Sequence, residues 1–234
     1  KNINLKKNIL LIVRRGELEV SWICPAIFSL SKKYNIYIYF LNNKFYQNFS
    51  SNKFYFKHLK QISKKIIIQP KNYKLILRFI RYFLKIINIR SEFLNNKIHD
   101  PDFIKNKFGI KKFHIILAEY NSKTQWIRSF KNTKIIFYPN SPQVFWNVDQ
   151  KNHKPLECDY LMVNSIKEKK YWKKRIDLKK IIETGCPQKD PWWTKKMMAF
   201  YDRTLKTNTD KKIILFAYNS FFDEIKKKEN RDIL

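Results

Sequence analysis

The sequence predicts an α/β protein built on a doubly wound, parallel, Rossmann-like sheet, followed by the start of a second Rossmann-like domain. Three observations carry that expectation. Short continuous apolar runs rich in Ile, Val and Phe recur along the chain, as strands buried on both faces require. Segments of helical period stand between them, the alternation expected of parallel sheets with crossover helices. A polar, linker-like stretch then precedes a fresh apolar run, Ile213 to Ala217.

Ile9 to Val13 reads as the first buried strand, and the apolar residues from Trp22 to Leu30 recur at helical spacing. The β-branched and aromatic run Asn35 to Leu41 is the second strand, and Lys64 to Gln69, stopped by Pro70, is the third. Between them, Asn42 to Lys57 is Asn- and Phe-rich and reads as a loop. From Tyr73 to about Asn88 the period is helical again: Ile76, Phe79, Ile80, Phe83 and Ile87 share one side, and Lys74, Arg78, Arg81 and Lys85 group opposite. The apolar side is expected to face the core, and the four cations to suit an anionic membrane surface.

Phe113 to Ala118 and Lys134 to Tyr138 are further strands, separated by a helical Ser122 to Phe130. Tyr160 to Val163 and Lys180 to Glu183 repeat the pattern, with Ser165 as N-cap of a helix to about Arg175. That makes seven strands in a domain over 1–205, a linker over 206–212, and the opening of a second domain over 213–234. The chain begins with Lys1 and stops in a charged segment, so a fragment of a longer protein is expected.

At 234 residues, 44% hydrophobic and 16% aromatic, the chain has ample material for a core, which excludes a disordered protein. The formal net charge is +30, with 49 Lys and Arg against 19 Asp and Glu. Such a field attracts phosphate, nucleic acid or an anionic membrane. Equally, the abundance of Lys, Ile, Asn, Phe and Tyr fits codon drift that leaves lysine on a solvated surface. Cys24, Cys158 and Cys186 are far apart and form no Cys-x-x-Cys pair, and His58, His99, His114 and His153 show no ligand spacing; no metal is expected. The sparse cysteines suit a reducing cytoplasm. No apolar run reaches the roughly 18 residues of a membrane span. With three glycines only, Gly16, Gly109 and Gly185, neither the G-x-G-x-x-G fingerprint nor a P-loop can be written, which excludes an NAD-type dehydrogenase and a P-loop NTPase for these residues.

In open parallel sheets ligands gather outside the carboxyl ends of the strands, so the loops there hold the candidate site. Arg14-Arg15-Gly16-Glu17-Leu18-Glu19 joins two cations, a flexible glycine and two carboxylates. Gly16 would let a ligand approach the backbone, with Arg14 and Arg15 beside it, while Glu17 or Glu19 could serve as general base or bind hydroxyls. The alternative is that the acids favour a helix N-terminus and pair with the arginines. Glu119 ends a strand and could take a proton from a hydroxyl, or simply charge a helix start. Tyr138-Pro-Asn-Ser-Pro-Gln143 is a rigid loop offering Asn140, Ser141 and Gln143 as hydrogen-bonding groups, or a plain turn. His153, in the long loop after Pro142, is a substitute catalytic candidate. All these loops are expected on one sheet edge.

The string Glu183-Thr-Gly-Cys-Pro-Gln-Lys-Asp-Pro-Trp-Trp193 is the most specific in the chain. Gly185 relieves the backbone after a strand, Pro187 fixes the exit and Asp190 can cap a helix starting at Pro191. A strand ending T-G-x-P-x-x-D, then a bulky residue, a helix, a linker and a fresh K-K-I-I-L-F-A strand, resembles the domain junction of the GT-B superfamily. The nearest likeness is to bacterial surface-carbohydrate biosynthesis proteins, the CDP-glycerol glycerophosphotransferase-like and UDP-GlcNAc 2-epimerase-like groups. Gly185, Pro187 and Asp190 match, and more loosely Arg15, Glu17 and Leu18; where relatives carry a histidine, often His-Gly, this chain has Tyr138-Pro-Asn-Ser. The resemblance implies two facing Rossmann-like domains, with the acceptor on the N-terminal one and a CDP- or UDP-linked donor on the other. Its implied activity is transfer of a sugar or polyol phosphate to a glycan or lipid-linked acceptor in the cytoplasm, peripheral to the plasma membrane, with the fragment itself inactive and holding no cofactor. A UDP-sugar 2-epimerase is the neighbouring alternative. A basic protein for RNA or single-stranded DNA is the rival class, disfavoured because no RNP, KH or zinc-finger pattern is present.

Overall fold

The computed structural model describes residues 6–70, 75–86, 100–120, 122–139 and 156–204. Seven strands form one sheet: β1 (Asn8–Val13), β2 (Asn35–Phe40), β3 (Ser63–Ile68), β4 (Ile115–Glu119), β5 (Lys134–Tyr138), β6 (Tyr160–Val163) and β7 (Ile181–Glu183). Their spatial order is β3-β2-β1-β4-β5-β6-β7, and every pairing is parallel. The doubly wound α/β fold expected from the alternating pattern is therefore the observed one.

The strand order reverses at β1, between β2 and β4, and in such sheets that crevice collects ligands. β1 is apolar at five consecutive positions because both of its faces are covered: Ile9 to Val13 are all buried. Leu10 and Ile12 join one core with Ile116, Ala118, Ile135, Phe137, Leu161, Val163 and the rings of Phe108, Trp126 and Trp172. By strand alternation Ile9, Leu11 and Val13 lie on the other face.

The helices are α1 (Glu17–Leu30), α2 (Asn43–Ser51), α3 (Lys53–Ile62), α4 (Leu75–Ile86), α5 (Pro101–Phe108), α6 (Ile166–Trp172) and α7 (Pro191–Thr204). α1 begins five residues earlier than the apolar spacing from Trp22 suggested, and buried Pro25 sits inside it without ending it. Burial of Val20, Trp22, Ile23, Cys24 and Ile27 holds it together.

Asn42 to Lys57, expected as a loop, is two helices. Asn42 caps α2 by accepting from the Lys44 N–H at 2.8 Å, and Asn52 caps α3 by accepting from Tyr55 N–H at 3.3 Å. The asparagines that looked like loop residues are helix starts. α5, absent from the sequence reading, has Asp100 as N-cap, Pro101 at its first position and Gly109 at its end with φ of 72°. Ser122–Ser129 is a 3-10 helix.

The largest departure concerns α4. Its apolar side was expected against the core, yet Ile76 is 75% exposed and Phe83 65%, with Phe79 and Ile86 also exposed. Lys74 lies outside the described residues. Among the described residues no helix is long and apolar enough to cross a membrane.

The chain divides into two units, Lys1–Ala199 and Phe200–Leu234. The expected linker over 206–212 and second-domain strand from 213 lie outside the described residues.

Candidate functional site

The site begins where β1 ends. Val13 closes the strand, and the next three residues turn out of the sheet before α1 starts at Glu17. Glu19, on the first turn of α1, folds back over that turn: its Oε2 accepts from the N–H of Arg14 at 2.7 Å and of Arg15 at 2.9 Å. Its Oε1 accepts from the hydroxyl of Tyr138, at the end of β5, at 2.8 Å. The carboxyl is fully buried. Burial pushes its pKa up to about 7, against the opposing pull of the two backbone N–H groups. Burial likewise lifts the Tyr138 phenol well above its ordinary value, so Tyr138 remains a hydrogen-bond donor at neutral pH.

With the backbone pinned by Glu19, both arginine side chains reach β4. Arg14 Nη2 lies 3.0 Å from Glu119 Oε2, and Arg15 Nε lies 3.2 Å from Glu119 Oε1. One buried carboxylate thus holds two guanidiniums, one oxygen each. Burial raises the Glu119 pKa, with Arg14 and Arg15 pulling it back down. The Nε of Arg14 is buried with no hydrogen-bond partner among the described residues. The Arg15 side chain is nearly half exposed, so it presents charge to solvent.

Gly16 makes the turn possible. Its φ of 74° with ψ of −126° is a backbone conformation left to glycine. A Cβ there would also sit 2.8 Å from the Phe45 carbonyl oxygen on α2. Glu17, half-buried at the start of α1, accepts from Asn52 Nδ2 at 2.6 Å. Arg14, Arg15, Gly16, Glu17 and Glu119 are therefore gathered on the carboxyl edge, across the β1/β4 pair. Asn140, Ser141, Gln143 and His153 lie outside the described residues.

A second layer ties this edge to the next strands. The Trp22 ring stacks on Tyr138 with centroids 5.5 Å apart and planes 4° from parallel, and its Nε1 donates to Asn164 Oδ1 at 3.1 Å. Asn164 in turn is held by buried Glu168, whose Oε2 accepts from the Asn164 N–H at 2.8 Å. Tyr138 and Glu19 are the central residues that the sequence reading left aside or treated as an alternative to Glu17. The signal for Tyr138 is its place as the last residue of a strand.

The Thr184–Asp190 segment leaves β7 on the same edge. Gly185 takes φ of 68°, Pro187 opens a 3-10 turn, and Asp190 Oδ1 accepts from the Trp192 N–H at 3.1 Å, capping α7. The turn Pro187–Lys189 packs against α1. Trp193, fully buried, then fits among Phe28 of α1 and Phe54 and His58 of α3. Gly185, Pro187 and Asp190 steer the chain from the far end of the sheet back to α1. Among the described residues no group of three His, Cys, Asp or Glu could hold a metal ion.

No protein family and no curated protein matches the chain. Among solved structures it is similar to a glycosyltransferase from Rickettsia africae ESF-5, at 15% identity and a TM-score of 0.45, over 97% of this chain and 59% of that one. The chain thus spans 59% of the length of that protein.

Proposed function

We propose that the chain is the acceptor-side domain of a GT-B-type transferase that uses a CDP- or UDP-linked donor to build a bacterial surface polysaccharide or polyol-phosphate polymer. The observation that carries this reading is the pair Arg14 and Arg15 held by Glu119 beside the strand-order reversal. Two guanidiniums share one carboxylate, and Arg14 Nε is buried without a partner among the described residues. That arrangement suits a phosphate oxygen, since guanidiniums bind phosphate with charge-assisted, directional bonds. The phosphate would belong to a lipid-linked or polyol-phosphate acceptor.

Transfer also needs a base to take the proton of the acceptor hydroxyl. Glu119 has both oxygens committed to the arginines, so its role here is to position them. Glu17, half-buried on the same edge, is the base in this reading. The junction at Gly185, Pro187 and Asp190 would border the cleft to a donor-binding domain. α4 would rest on the cytoplasmic face of the plasma membrane, with its exposed Ile76, Phe79 and Phe83 in the acyl boundary and the helix's basic residues supplying charge for anionic headgroups.

Calorimetric titration of the chain with glycerol phosphate, and with a polyprenyl-diphosphate-linked sugar, tests the reading. Saturable binding is expected, weakened about tenfold by Arg15→Gln, the loss of one charge-assisted contact. Equal affinity for the phosphate-free sugar, or tighter binding of single-stranded RNA than of either probe, overturns it. Conversion of UDP-N-acetylglucosamine without any acceptor would assign an epimerase instead.

A further inference from the structure

A cavity lies on the same sheet edge, beyond the ends of β2 and β3. Its volume is about 550 Å³, within the range of small-molecule sites. Five of its lining side chains are amides, Asn42, Asn43, Gln47, Asn48 and Gln69, joined by Lys44 and by apolar Leu41 and Pro70. Among the described residues no carboxylate lines it. Each amide offers two donors and an acceptor that neither repel nor titrate, the chemistry that matches vicinal hydroxyls.

Gln69 supplies the independent observation. It is only 3% exposed, and its Nε2 is buried with no hydrogen-bond partner among the described residues. A buried polar group left unpaired costs roughly 1–3 kcal/mol. A leucine of similar size would avoid that cost in a core with no ligand. Gln69 lines the cavity beside the four other amides, so a turn of its side chain toward a bound hydroxyl would give the nitrogen its acceptor.

The cavity also touches the arginine site through one helix. On α2, Phe45 abuts Gly16 while Lys44, Gln47 and Asn48 line the cavity. We infer that the cavity at the carboxyl ends of β2 and β3 binds a polyhydroxylated group, a sugar ring or an acyclic polyol, through these amides. The inference deepens the transferase reading and rests on it for the identity of the group as part of the acceptor. Hydroxyls then lie over β2 and β3 while phosphate lies over β1 and β4.

Nuclear magnetic resonance titration of the 15N-labelled chain tests this separately from turnover. The probes are glucose, N-acetylglucosamine, glycerol and ribitol, with inorganic phosphate as a further arm. The side-chain amides of Asn48 and Gln69 are expected to shift with the sugars or with the acyclic polyols, and which of the two moves them identifies the source. Gln69→Leu and Asn48→Leu should each weaken that binding at least tenfold. Asn48 is exposed, so its variant keeps the test valid if Gln69→Leu fails to fold. Absence of amide shifts with every hydroxyl probe overturns the inference, as does a response to phosphate alone or unchanged binding in a folded variant. Phosphate shifts confined to Arg15 and Gly16 would in that case leave the transferase reading standing.

Discussion

Glu19 shows how one side chain can organise a site without touching a ligand. Its two oxygens satisfy two backbone N–H groups and a buried phenol. Glu19→Ala would orphan all three, an expected loss of roughly 2–5 kcal/mol. Glu19→Gln keeps the acceptor for the backbone and turns an N–H toward Tyr138, so it should fold. The pH dependence separates the variants further. The folded pKa of about 7 lies above the ordinary 4.5, so the carboxyl favours folding fully only below 4.5. That contribution is lost as pH rises through about 7, a total of roughly 3 kcal/mol. Denaturant unfolding across this window should show stability falling with pH in the wild type and a flatter profile in Glu19→Gln; identical slopes would refute the assignment. Glycine substitutions make a matched pair. Gly16→Ala meets both a glycine-only backbone and the Phe45 carbonyl, whereas Gly185→Ala has φ of 68° but open space. The first should cost the larger amount, up to about 3 kcal/mol, and the second about 1–2. Within the transferase reading, Glu17→Gln should lower turnover roughly 100-fold with the fold intact; undiminished turnover in an active preparation would remove Glu17 as the base.

Among the elements, α4 is the one whose sequence and surroundings disagree. A strongly amphipathic helix normally buries its apolar stripe, but here Ile76, Phe79, Phe83 and Ile86 remain exposed. If α4 docks on a bilayer, sedimentation with anionic vesicles should fall when Lys74, Arg78, Arg81 and Lys85 become Gln, each cation contributing about 1 kcal/mol. Retained sedimentation after all four changes would exclude this docking. α2 and α3 carry a different lesson. Asn42 and Asn52 read as loop residues because asparagine favours turns, yet the same short side chain that competes with a helix interior caps a helix start. Each helix is short and buries one side only, Phe49 in α2 and Phe54, Tyr55, His58 and Leu59 in α3, so the asparagines outweighed the helical spacing. The Ser165 cap on α6 was legible, since Ser165 precedes Glu168 by three residues, and its hydroxyl does accept from the Glu168 N–H.

At the level of the whole molecule, a net charge of +30 repels itself. Sodium chloride screens that repulsion within about a nanometre at 0.1 M. The melting temperature should therefore rise with salt, by roughly 2–4 °C for each kcal/mol relieved. A fall over the same range would mean that attractive pairs such as Arg14–Glu119 dominate instead. The seven strands were legible because each carries a short apolar run, buried on both faces in β1 and partly exposed at the sheet edges in β3 and β7, and β5 and β6 match their expected ends. Their parallel pairing follows from the helices between them, and it brought Glu17 and Glu119 to one edge as expected. What the residues by themselves determined is thus the periodic part: strands, crossovers, and which loops follow strand ends. Tertiary structure alone decided which acid does what. Glu17 and Glu19 are two residues apart and chemically alike, but only Glu19 is fully buried against Tyr138, 119 positions away. Burial, charge pairing and the orphaned amide of Gln69 depend on neighbours distant in the chain, and local sequence carries no record of such neighbours.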